Sequence, residues 1–126
     1  MKTEKFSVRK RLKSFGYAFN GLKLLLKKEH NSRIHLVAAV VVILLGWELK
    51  ISVVEWMVLV LVISAVFVAE IFNSALEHLA DHLSPERSEP IKIVKDLAAA
   101  AVLVCAFSSV VIAILIFLPK VLQLFR

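Results

Sequence analysis

Three uncharged apolar runs, Ile34 to Trp47, Trp56 to Ala69 and Leu97 to Leu118, govern what this chain can fold into. They belong to a sequence of 126 residues that is 60% hydrophobic, well beyond the apolar share of a soluble domain. The chain therefore reads as an integral membrane protein. A bilayer leaves no water to satisfy open strand edges, and no segment alternates as a strand would, so the spanning units are helices. The first two runs hold 14 residues each, which at about 1.5 Å per residue gives ~21 Å, short of the ~30 Å hydrocarbon core. Both helices must continue into polar residues. The spans expected on this basis are about 33–50, 54–82 and 96–118, within one all-α domain over residues 1–126.

Ahead of the spans, residues 8–30 predict an amphipathic helix lying on the membrane surface. Phe15, Phe19, Leu22 and Leu26 recur at helical spacing, and Arg9, Lys13, Asn20, Lys23 and Lys27 fall on the other side. Continuing that helix brings Glu29 onto the face of Leu22 and Leu26, an odd place for a carboxylate unless a partner waits there. The net charge of +6 does not point to nucleic acid, because ten of the sixteen Lys and Arg precede residue 34, beside the first span, where anionic headgroups are the natural partner. That basic start lacks a cleavage pattern and is not read as a signal peptide. Trp47 and Trp56 flank a short turn and mark one membrane interface. The loop HLSPERSEPIK, with its Ser-Pro and Glu-Pro steps, is expected to be irregular. The N-terminal segment and this loop, with Lys95 just after it, carry thirteen Lys and Arg against three elsewhere, so both are expected on the cytoplasmic side. Cys105, alone in the last run, reads as a small core residue.

The chemistry concentrates where the second span turns polar. Glu70, Asn73, Ser74, Glu77 and Asp81 are spaced at 0, 3, 4, 7 and 11 and share one helical stripe. Asp81 reads equally well as an interfacial residue reaching for water. Glu70 does not, since it lies about 10 Å deeper than Glu77 along the helix and its side chain is short. Carboxylates at the edge of a bilayer are hard oxygen ligands of the kind Mg²⁺ prefers, and Mg²⁺ commonly arrives with nucleotide phosphates. Depth then divides the roles. Glu77 and Glu29 would hold Mg²⁺ near ATP, and Glu70 would accept a proton from a hydroxyl in the lipid layer. Lys95 would offset phosphate charge, although Lys95-Asp96 by itself is more simply an interfacial Lys with a helix-start Asp. His78 and His82 have a zinc-compatible spacing without an evident third ligand. No GxxxxGK[ST] loop or Gly-rich kinase loop is present.

The runs AEIFNSALEHLAD and IVKDLAAAAV, with GYAFNGLK at residues 16–23 and the isolated Glu29, resemble the prokaryotic diacylglycerol kinase family over nearly the whole chain. These are small membrane enzymes that phosphorylate lipid hydroxyls with MgATP. The resemblance implies a homotrimer of three-span protomers in the bacterial inner membrane, with active sites shared between subunits. It implies Glu70 as catalytic base, Glu29 and Glu77 as metal-linked carboxylates, and Asn73, Lys95, Asp96 and Tyr17 as nucleotide or phosphate contacts. Lys10 and Arg11 stand where the family often has a phosphate-binding arginine, and the 86–89 loop departs from the family pattern at the expected adenine contacts. The segments EWM and FLPK resemble members acting on undecaprenol more than on diacylglycerol. Two other classes of function also fit Glu70: a proton-coupled transporter, which leaves Glu29, Lys95 and Asp96 without a task, and a non-catalytic assembly protein held together by the stripe.

Overall fold

In the computed structural model, which describes residues 3–86 and 88–126, the chain forms four helices: α1 (Val8–Lys28), α2 (His30–Glu48), α3 (Val53–Leu83) and α4 (Glu89–Leu124). Helices α2, α3 and α4 are each long and apolar enough to cross a membrane. Arg87, in the loop where adenine contacts are expected, lies outside the described residues.

Helix α1 starts at Ser7, whose side chain accepts a hydrogen bond from the Lys10 N–H, and carries Lys27 and Lys28 in its last turn, where cations complement the helix dipole. It does not run on through Glu29 as the spacing predicts. Glu29 is extended, at φ −103° and ψ 112°, and serves as the hinge between α1 and α2. The reason lies four residues further on. Arg33 folds back from α2, its Nε donating to Leu26 O at 2.7 Å and its Nη2 bonding Lys27 O, so the carbonyls orphaned at the end of α1 are capped by the next helix.

The turn from α2 to α3 is tight. Lys50 takes the left-handed conformation at φ 50°, and the Ile51 N–H returns to Gly46 O at 3.1 Å. A side chain at Gly46 would meet the Trp56 ring at 2.9 Å, so only glycine lets the tryptophan of α3 lie against the end of α2. Ser52 and Glu55 then start α3 with a reciprocal capping box.

Helix α4 is longer at both ends than the expected span. The Glu-Pro step that was expected to interrupt helix begins it instead, because proline in the first turn gives up only an N–H that has no intrahelical partner. At the other end α4 passes through Pro119 to Leu124.

Helix α4 packs antiparallel along α3 in the most extensive helix pair of the chain. Ile51, Leu59, Ile116 and Phe117 form a buried cluster near the Trp-flanked turn, joined by Val42, Trp56, Ile63 and Ile112. Helix α2 lies against α3 through Ser32, Ala39 and Gly46, small residues seven apart that permit close approach. Large apolar side chains elsewhere, such as Leu61, Leu103, Phe107 and Leu115, face outward, as lipid contact requires.

Candidate functional site

The site forms where the hinge at Glu29 and the first turns of α2 meet the middle of α3. Helical spacing orients the α3 residues: Glu70 and Ser74 point into the protein and are buried, Asn73 and Glu77 are half-buried on the flank, and Asp81 is exposed one turn further on. The hinge supplies the fifth group. Because the chain breaks there, the Glu29 carboxylate reaches α3 and accepts a hydrogen bond from Ser74 Oγ at 3.2 Å. Glu29 is thus held at Ser74, on the stripe that also carries Glu70 and Glu77.

Glu70 is 2% exposed, which places its carboxylate inside a single chain. Ser74 is buried within the same chain as Glu70. The hinge and the small-residue face of α2 cover them, because Ser32, Ala39 and Gly46 let α2 approach α3 closely.

Against Glu70 lies a residue that the sequence reading passed over inside an apolar run, His35. Its Nε2 is 3.1 Å from Glu70 Oε1, and the two side chains are 23% and 3% exposed. The distance is that of an ion pair, although the buried Oε1 makes no hydrogen bond of ordinary geometry. Asn73 Oδ1 and Ser32 Oγ are also buried without donors. The rule that singled out Glu70, an ionisable group inside a membrane run, applies equally to His35.

A second cluster sits at the end of the same stripe, between α3 and α4. Lys95 pairs with Asp81, and Lys92 approaches Asp96 at 3.5 Å on the surface of α4. These residues line a cavity of about 550 Å³ with Ser84, Pro85 and Ile91. Lys95 therefore has a carboxylate partner already and must exchange it to bind phosphate.

Lys10 and Tyr17 join neither cluster. Lys10 pairs with Glu4 at 3.1 Å, Tyr17 is 73% exposed, and Lys10 stands about 27 Å along α1 from its end at 1.5 Å per residue. His78 lines an apolar cleft of about 630 Å³ between α1 and α3, together with Leu22, Leu25, Ile71 and Ser74.

The donor set fits a hard divalent cation. Among the described residues no three His, Cys, Asp or Glu side chains form a closed cage. Mg²⁺ does not need one, since it keeps several waters and takes one or two carboxylates together with phosphate oxygens. Glu29 and Glu77, both half-buried, are the carboxylates of this cluster that would suit such an ion.

Comparison with known proteins agrees with this chemistry. The family model described as prokaryotic diacylglycerol kinase matches residues 16–117. The undecaprenol kinase of Bacillus subtilis (strain 168) is 39% identical over 108 residues, which is 86% of this chain and 88% of the relative. A diacylglycerol kinase of Synechocystis is 35% identical over 114 residues, 90% of this chain but 65% of that protein. The diacylglycerol kinase of Escherichia coli (strain K12) is 28% identical over 100 residues, 79% of this chain and 82% of its own.

Proposed function

Since the chain belongs to the prokaryotic diacylglycerol kinase family and is a lipid kinase, we propose that it transfers the γ-phosphate of ATP to the hydroxyl of a membrane lipid alcohol at the cytoplasmic interface, with Glu70 as the base. One observation carries the reading: a carboxylate buried in the middle of a spanning helix, with Glu29 brought onto the same stripe by Ser74.

The chain's residues divide the work by depth. Glu70, deepest of the three, meets a hydroxyl at the end of an acyl or prenyl chain and takes its proton as the oxygen attacks phosphorus. Glu77 and Glu29 lie toward the polar end and would hold the metal. Bound Mg²⁺ would neutralise charge on the transferring phosphoryl group and its leaving group. Asn73, whose buried Oδ1 makes no hydrogen bond, serves as a nucleotide or phosphate contact. Lys95 leaves Asp81 for a phosphate oxygen, and Asp96 and Tyr17 serve as nucleotide contacts. The transfer is mainly positioning plus electrostatics, which is how a chain without a phosphate-binding loop can perform it.

Lys10 and Tyr17 lie along α1 away from their own carboxylates, which suits a homotrimer whose sites are shared between protomers, with α1 as an amphipathic helix on the inner face of a bacterial cytoplasmic membrane. Undecaprenol is the favoured acceptor. The EWM and FLPK segments and the 39% identity to a protein named undecaprenol kinase support it over diacylglycerol.

The test is phosphate transfer from labelled ATP to undecaprenol and to diacylglycerol in mixed micelles, for the parent chain and for Glu70→Gln. Label on undecaprenol that is lost in the variant is the expected result. Equal transfer by Glu70→Gln would reject the base, and label on diacylglycerol alone would reject the acceptor.

A further inference from the structure

We propose that His35 is a positioning residue for Glu70, orienting the carboxylate so that one oxygen stays with the imidazole and the other accepts the proton of the lipid hydroxyl. The inference rests on the reading of Glu70 as the base and adds a residue to it.

The geometry leaves Glu70 few other partners. Its side chain is 3% exposed, so water cannot orient it, and its charged neighbours on α3 and at the hinge, Glu77 and Glu29, are of like sign. Helix α4 brings Ser109, Val110 and Ala113 to the cavity that His35 lines, none of them charged. The imidazole of α2 lies 3.1 Å from Oε1 and is the group there that can both donate a hydrogen and carry positive charge.

The contact is short, yet Oε1 makes no hydrogen bond of ordinary geometry. Catalytic hydrogen bonds are often misaligned before substrate binds and straighten in the productive complex. His35 sits on the α2 face that carries Ser32 and Ala39, the face with the buried small side chains of α2. A carboxylate held by one oxygen presents the other in a fixed direction, and a base displaced by about 1 Å loses on the order of 100-fold in rate.

The experiment uses the full chain in detergent micelles and compares His35→Leu, which removes the donor, with His35→Gln, which restores an N–H of similar reach. His35→Leu is expected to lower kcat on the order of 100-fold with the KM for MgATP unchanged, and His35→Gln to recover roughly tenfold of that loss. Equal kcat for the two variants, or parent-level kcat for His35→Leu, overturns the assignment. A readout independent of turnover is the ¹⁵N resonance of the His35 ring, expected to move in Glu70→Gln; an unmoved resonance also overturns it. Failure of the base reading looks different: there Glu70→Gln itself remains active.

Discussion

Helix α3 turns Glu55, in its first turn, toward α4 and Glu70, near its middle, toward α2, and the chain treats these two carboxylates in opposite ways. Glu55 is saturated. It accepts the Ser52 N–H at 2.9 Å and Lys120 Nζ at 3.0 Å, and its own N–H donates to Ser52 Oγ at 3.2 Å. It ties the start of α3 to the end of α4 beside the apolar cluster of Leu59, Ile116 and Phe117. Glu70 is more deeply buried yet keeps an oxygen without an aligned donor, near two carboxylates and a single imidazole. A carboxylate that only holds helices together has no reason to stay unsatisfied, because each unmade hydrogen bond costs on the order of 1–3 kcal/mol. The contrast separates the structural end of the molecule from the working end.

The sharpest way to break this contrast is Glu70→Gln. It should lower phosphate transfer by about 10²- to 10⁴-fold, while the thermal midpoint of the detergent-solubilised protein holds or rises, since a costly buried charge is removed. A variant that lost stability and kept activity would reverse the two roles. Next in size, Glu29→Gln and Glu77→Gln should each raise the Mg²⁺ concentration needed for half-maximal rate, about 10- to 100-fold if they serve as ligands. Unchanged magnesium titrations would remove them from the metal.

At the structural end the expected pattern is stability without activity. Gly46→Ala places a methyl group against the Trp56 ring at 2.9 Å and should destabilise by roughly 1–3 kcal/mol, read as a lower thermal midpoint at parent kcat. The smallest effect belongs to Ser52→Ala, which removes one half of the capping box and should cost about 1 kcal/mol, again with kcat intact. Loss of turnover in either variant, with the fold retained, would mean that the two ends are coupled.

The alternative of a proton-coupled transporter falls with family membership, and its weakness shows in the structure as well. A transporter built on Glu70 has no use for the docking of Glu29 onto Ser74.

Much of this molecule follows from the order of its residues. The three apolar runs dictate spanning helices because a bilayer tolerates no unpaired backbone, and the 0, 3, 4, 7, 11 spacing lines up Glu70 through Asp81 because residues three and four apart on a helix are always neighbours. Capping by Ser7 and by Ser52 with Glu55 is equally local. Packing decided the rest. Extending α1 by its period put Glu29 on the helix, whereas Arg33, from the following helix, ends α1 one residue earlier and frees Glu29 to reach Ser74. His35 was invisible as a partner for Glu70 because thirty-five residues separate them. A helical period relates side chains on one helix; which residue of a second helix comes to face them depends on how closely and in what register the two pack. Here Ser32, Ala39 and Gly46 set that register, and with it the surroundings of the proposed base.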